Sequence, residues 1–219
     1  FMFQVQVFTL YPEVFPGPLA KGLYGKALSS KLWKLNITNI RDAATDKHKT
    51  VDDTPYGGGS GMLLKADVLA NSLDKKLKKG ERVFYLSPKG KKFDQKLAQD
   101  LSKEKSISLI CGHFEGVDER VLTTRNIEEI SIGDYVLSGG ETAALVILDS
   151  ILRLLPGVLG NEKSSVDETF ENGLLEYPQY TKPQIWEEKS VPEVLLSGDH
   201  AKIKDWRLSQ SEAITRVRR

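Results

Sequence analysis

The sequence predicts an α/β fold built on a mostly parallel sheet, and three observations carry that prediction. Short apolar runs at residues 83–86, 107–111 and 127–130 are each bounded by turn residues, the pattern of strands buried on both faces. The segments between them read as helices: Val68, Leu69, Leu73 and Leu77 recur through residues 67–78, and Leu97 and Leu101 through residues 93–101. Strands and helices therefore alternate, as parallel βαβ units require.

The first element is a strand carrying Phe3, Val5, Val7 and Leu10, ended by Tyr11-Pro12 and by Pro16-Gly17-Pro18. A helix over residues 19–28 and a strand over 35–40 follow. After the three apolar runs a long helix is expected from about 141 to 155, and Pro156-Gly157 ends it at a domain boundary. Residues 161–199 hold nine acidic and three basic side chains with Pro178, Pro183 and Pro192 among them, which predicts a linker within that stretch. Residues 200–219 reverse the sign. Lys202, Lys204, Arg207, Arg216, Arg218 and Arg219 stand against Asp205 and Glu212, on a helical pattern with Ile203, Trp206, Leu208 and Ile214. Such a face suits a phosphate backbone, and it equally suits open solvent.

Composition narrows the function by exclusion. With 219 residues, 31 Lys+Arg against 30 Asp+Glu and a net charge of +1, bulk electrostatics favours no partner. A single cysteine, Cys111, rules out an intrachain disulfide and a multi-cysteine zinc site, and predicts a reducing, cytoplasmic setting. The longest apolar stretch, residues 143–155, is interrupted by Asp149 and Arg153 well short of the ~20 residues of a membrane span, so no membrane association is expected. The opening strand lacks the positive charge of a signal peptide. His48, His113 and His200 form no metal-ligand spacing, so no metal is assigned to a protein site. Cys111 beside His113 reads as a core residue rather than a nucleophile, and no Gly-x-Ser-x-Gly elbow occurs.

Three glycine-bearing segments remain. Thr54-Pro55-Tyr56-Gly57-Gly58-Gly59-Ser60-Gly61-Met62 has four glycines in five positions, an entropic cost that suggests close approach of a ligand. It is neither a P-loop nor a dinucleotide fingerprint, lacking the Gly-Lys-Ser/Thr and the third glycine respectively. Cys111-Gly112-His113-Phe114-Glu115-Gly116-Val117-Asp118-Glu119-Arg120 opens directly from an apolar strand, the place where α/β proteins bind ligands. Ser131-Ile132-Gly133-Asp134-Tyr135-Val136-Leu137-Ser138-Gly139-Gly140-Glu141 leads into the long helix. Any one of them is also explained as a tight turn needing positive φ.

Taken in order, these segments resemble the bacterial tRNA (guanine-N1)-methyltransferase family of the SPOUT class, over nearly the whole chain. The further carriers are Asp46-Lys47-His48-Lys49-Thr50-Val51-Asp52-Asp53-Thr54-Pro55 before the first glycines, Tyr85-Leu86-Ser87-Pro88, Pro156-Gly157-Val158-Leu159-Gly160 and Gly173-Leu174-Leu175-Glu176-Tyr177-Pro178. The resemblance implies a parallel sheet with a deep trefoil knot in residues 1–160, a flexible linker over 161–175, and a small, mainly helical tRNA-binding domain over 176–219. It implies a homodimer with the site at its interface, and methyl transfer from S-adenosylmethionine to N1 of guanine 37 of tRNA. Mg2+ becomes a candidate requirement for activity.

The same resemblance assigns cofactor walls to Tyr85, Leu86, Ser87, Pro88, Gly112, Glu115, Ser131, Ile132, Gly133, Asp134, Tyr135, Val136, Leu137, Gly139 and Gly140. With bulk charge near neutral, local charge makes Lys47 and Lys49, beside the loop at Gly57, Gly58 and Gly59, and Arg216 of the basic tail the candidate tRNA contacts. Guanine N1 carries a proton and is a poor nucleophile, so a base must remove that proton while a cation stabilises the charge passing to O6. Arg153 matches the family's arginine. Glu168 stands where the family usually has an aspartate, and Asp167 is the second choice for the base. Other departures are His113-Phe114 for a common Arg-Tyr, Ser60 for a proline and Lys182 for an arginine. Two rival readings are a non-catalytic RNA-binding protein, which has no need of three glycine-rich turns, and a nucleotide-dependent enzyme, which would want a Walker lysine.

Overall fold

A computed structural model describes residues 2–78, 80–159 and 173–218. It has the expected class. Strand β1 (Phe3–Thr9) leads through two short 3-10 turns into α1 (Gly22–Ser29) and β2 (Trp33–Asn39). A two-residue pair, β3 (Asp52–Asp53) and β4 (Leu63–Leu64), precedes α2 (Ala66–Asp74). Then come β5 (Arg82–Lys92), α3 (Gln95–Leu101), β6 (Ser106–Cys111), α4 (Glu119–Thr124), β7 (Glu128–Ser131) and α5 (Glu141–Leu152). Five strands make one sheet in the order β2-β1-β6-β5-β7, parallel throughout.

Both faces of this sheet are covered at its centre, which is why β5 and β6 read as nearly continuous apolar runs, whereas β1 alternates Phe3, Val5 and Val7 with Gln4 and Gln6. On one face Phe3, Val5, Val7, Leu109 and Phe84 pack with Ala144, Ile147, Leu148 and Ile151 of α5 and Ala98 and Leu101 of α3. On the other, Phe8, Ile110, Val83 and Tyr85 pack with Val68, Leu69 and Leu73 of α2 and Val121 and Leu122 of α4.

The helix expected over 19–28 is divided. A 3-10 turn, Gly17–Ala20, stops at Lys21, and α1 starts afresh at Gly22, whose φ of +57° turns the chain. The long helix ends at Leu152, three residues before the expected 155. Strand β5 extends beyond the expected 83–86 because it contains an excursion. Leu86 and Lys91 both pair with Ile130, so residues 87–90 are pushed out of the ladder. Pro88 has no N–H to give the sheet, and its place in the excursion satisfies that restriction.

The chain forms two compact units, residues 1–160 and 161–219. In the second, a hairpin of β8 (Ile185–Trp186) and β9 (Lys189–Ser190) precedes α6 (Glu193–Leu196) and the long α7 (His200–Arg218). Asp199 starts α7 by accepting the N–H groups of Ala201 and Lys202, each at 3.2 Å. Arg207 lies over the Tyr177 ring at 4.8 Å, and Thr215 accepts the Leu175 N–H at 2.8 Å. No helix among the described residues is long and apolar enough to cross a membrane.

Candidate active site

The C-terminal ends of β5, β6 and β7 open into one cavity of about 330 Å³, where open parallel sheets place their ligands. Its walls are three loops. The first is the β5 excursion, with Tyr85, Leu86, Ser87 and Pro88; the Ser87 hydroxyl accepts the Lys89 N–H at 3.2 Å and closes its turn. The second follows β6 and contributes Gly112 and Glu115. The third joins β7 to α5, with Ser131, Ile132, Gly133, Tyr135, Val136, Leu137, Gly139 and Gly140. Of the residues expected to hold a cofactor, only Asp134 does not line the cavity; it is exposed on the third loop.

Close backbone approach holds these walls together. A Cβ on Gly140 would stand 2.6 Å from the Cys111 Cα, and the Gly140 N–H donates to the Gly112 carbonyl at 3.0 Å. A Cβ on Gly112 would meet the Tyr85 ring at 2.6 Å. Burial pushes the Tyr85 phenol up to about 12, with the Glu129 charge adding to it, so this wall stays neutral at physiological pH. Cys111 is fully buried and its thiol is pushed well above the usual range, which removes it as a nucleophile.

Sequence reasoning missed the second loop's polar anchor. His113 also lines the cavity, and its Nε2 lies 2.7 Å from Oε2 of Glu141, the first residue of α5. A histidine two residues past a strand and a glutamate after a Gly-Gly pair were each visible, but nothing in their spacing of 28 residues pairs them.

The glycine-rich segment is tied to the same wall. The Glu115 N–H donates to Met62 O at 2.9 Å and the Leu64 N–H to Gly116 O at 3.0 Å, while a Cβ on Gly61 would stand 2.4 Å from Glu115 Cγ. Gly57, Gly58 and Gly59 differ from Gly61. Their φ values are +88°, +78° and +125°, and among the described residues no atom beyond the immediate chain neighbours lies within 4 Å of a Cβ there, so backbone conformation accounts for them. Lys47 and Lys49 are exposed on the preceding loop. Asp46 organises it by accepting from the Thr50 hydroxyl at 2.8 Å, a bond that holds its carboxyl below the usual range.

Arg153 is the C-cap of α5, half-buried, at the opposite end of that helix from Gly140. Glu168 and Asp167 lie outside the described residues. Arg216 is exposed in the last turn of α7. Among the described residues no three His, Cys, Asp or Glu side chains come together in a group able to hold a metal ion.

Comparison with known proteins places this geometry in context. A family model described as tRNA (guanine-1)-methyltransferase TrmD matches residues 3–219. The chain is 82% identical over 218 residues to a tRNA (guanine-N(1)-)-methyltransferase of Pelagibacter ubique (strain HTCC1062), covering 100% of this chain and 96% of that one. It is 58% identical over 217 residues to the protein so named in Bartonella tribocorum, covering 99% and 93% of the two chains. The corresponding Brucella canis protein is 54% identical over 217 residues, with 99% and 88% covered.

Proposed function

From the premise that the chain belongs to the tRNA (guanine-1)-methyltransferase family, we propose that it methylates N1 of guanine 37 in tRNA, using S-adenosylmethionine, as a homodimer. The observation that supports this best is the cavity itself, two of whose three walls are lined by glycines, at the ends of adjacent parallel strands. Such walls are poor in side chains and leave backbone N–H and C=O groups for the edge of an adenine. Tyr85 to Pro88, Gly112, Glu115 and the loop from Ser131 to Gly140 would hold the donor. The bound donor supplies a methyl group on a sulfonium, which is electrophilic.

The chain's own residues do the rest. Glu168, or Asp167 in second place, accepts the N1 proton, and the freed N1 electron pair forms the new N–CH3 bond as the S–CH3 pair returns to sulfur. Arg153 stabilises the charge that develops on O6. Lys47, Lys49, the loop at Gly57, Gly58 and Gly59, and Arg216 meet the tRNA. Mg2+ enters as a candidate requirement for activity, which chelation tests.

The position of Arg153 supports the dimer. Helix α5 has 12 residues, and at about 1.5 Å per residue Arg153 sits roughly 18 Å from the cavity wall that begins the helix. An arginine acting at the cavity therefore comes from a second copy. The proposed deep trefoil knot in residues 1–160 is supported by the family membership alone.

Methyl transfer to a tRNA transcript, mapped by nuclease digestion and mass spectrometry, tests the function. Methylation should appear at guanine 37 and vanish when that base is adenine; methylation elsewhere, or none, overturns the reading. Calorimetry adds a test of the cavity. S-adenosylmethionine and S-adenosylhomocysteine should bind and ATP should not, and Leu137→Arg, a change at an exposed residue of the wall, should abolish binding in a folded protein.

A further inference from the structure

Helix α5 begins at the cavity with a carboxylate that is almost fully enclosed. The Glu141 side chain is 9% exposed, and both of its oxygens are engaged. The Thr9 hydroxyl, at the end of β1, donates to Oε1 at 2.5 Å, and Oε2 lies 2.7 Å from His113 Nε2. In the tautomer that carries its proton on Nε2, the imidazole donates to Oε2. The Tyr11 ring packs against the imidazole at 4.8 Å between centroids, and the Tyr11 N–H donates to Thr9 Oγ1 at 2.9 Å. Gly139 forms a β-bridge with His113 and needs to be glycine for this reason, since a Cβ there would stand 2.2 Å from the imidazole Cε1.

These contacts tie side chains of three segments together: the end of β1, the wall after β6, and the entry to α5. Two of them are walls of the cavity. The Gly140 N–H joins these two walls through backbone by donating to the Gly112 carbonyl, and His113 with Glu141 joins them through side chains.

We propose that His113 is a positioning residue for methyl transfer, which through its Nε2–H on Glu141 fixes the wall after β6 against the entry of α5 and thereby sets affinity for the adenosyl ligand. The proposal rests on the cavity being the donor site. It assigns His113 no contact with the methyl group or the guanine, so its removal acts on binding and leaves the chemical step nearly alone. Glutamine reaches as far as a histidine Nε2 and carries an N–H there, so it can replace the function, whereas leucine fills the space without a donor.

The test is calorimetric titration of S-adenosylhomocysteine into the full chain and its variants, with steady-state kinetics on tRNA. His113→Leu should weaken binding and raise KM for S-adenosylmethionine by about tenfold, the size expected when a charged hydrogen bond is removed. Its kcat should stay within about threefold, because no transition-state interaction is removed. His113→Gln should recover most of the affinity. Thr9→Val, which frees Glu141 from its other side and does not line the cavity, should weaken binding in the same direction, and it provides the reading if the leucine variant fails to fold. Wild-type affinity in a folded His113→Leu protein overturns the proposal. So does a His113→Gln protein as weak as the leucine variant, or a fall in kcat with KM unchanged. Failure of the wild-type protein to bind S-adenosylhomocysteine would instead overturn the assignment of the cavity.

Discussion

Gly140 and Gly58 are glycines for opposite reasons, and substitution separates them. At Gly140 the obstacle is backbone: a Cβ would stand 2.6 Å from the Cys111 Cα and 3.1 Å from the Gly112 nitrogen, neither of which can rotate away. Gly140→Ala should therefore destabilise the protein by about 1–3 kcal/mol, the cost of overpacking a tight site, measured by urea unfolding. At Gly58 there is open space and a φ of +78°. Gly58→Ala should cost about 1 kcal/mol or less, because an exposed loop can relax, while KM for tRNA rises. A loss of stability at Gly58 equal to that at Gly140 would contradict the distinction. In the sequence both lie in glycine clusters, and both read as close approach of a ligand. Composition shows that a side chain is absent, but whether it is absent for a ligand, a neighbouring strand or a dihedral angle is decided by tertiary contacts. Thus Gly139 makes room for the His113 ring and Gly61 for the Glu115 side chain. The cavity walls were legible as three motifs, whereas the Thr9–Glu141–His113 chain that braces them was not, since each member comes from a different element.

Elements were legible wherever burial imposes a period. Strands β5 and β6 fall on their apolar runs because both faces of the sheet are packed at its centre, β1 falls on its alternation, and α2 falls on its stripe of Val68, Leu69 and Leu73. The elements that escaped are short. Strands β3 and β4 have two residues each, too few to show alternation, and the six residues of α4 depend on a cap, with Asp118 accepting the Arg120 N–H at 2.9 Å. Helices α2 and α4 are also joined by an ion pair, Arg125 with Asp74, whose two hydrogen bonds measure 2.9 and 2.7 Å. The Arg125 guanidinium holds the Asp74 carboxyl below its ordinary value of 3.8. A carboxyl lowered in the folded state stabilises the protein above the unfolded value and loses that contribution as pH falls through the folded one. The Asp74 side chain is 58% exposed, so solvent screening limits the pair to about 0–1 kcal/mol. Asp74→Asn should accordingly be slightly less stable than wild type in urea at pH 7, and the two should converge in acid below the folded value. A difference that widens in acid would reverse the assignment.

At the scale of the molecule, charge and chain division decide how tRNA is engaged. A net charge of +1 supplies no general attraction, so affinity must come from local cations. Arg216 and Arg218 close α7, and Arg219 follows them in the sequence. Neutralising all three should lower the logarithmic salt slope of tRNA binding by roughly 0.7–0.9 for each phosphate that is no longer paired with a cation. An unchanged slope would leave α7 as a solvated face. The proposed homodimer has a sharper consequence. The cavity lies at the N-terminal end of α5 and Arg153 at its C-terminal end, roughly 18 Å away at about 1.5 Å per residue, so on that proposal a complete site takes its cavity from one copy and its arginine from another. Leu137→Arg destroys the cavity of its own copy but leaves Arg153 intact, and Arg153→Ala does the reverse. Each homodimer should be inactive. When the two proteins are mixed and allowed to exchange, a heterodimer carries one site with both defects and one with neither, and that intact site should restore up to about half of wild-type activity in verified heterodimers, by the counting that a shared two-fold interface imposes. Heterodimers that form and stay inactive would mean that each copy uses its own Arg153, and that α5 does not span between two sites.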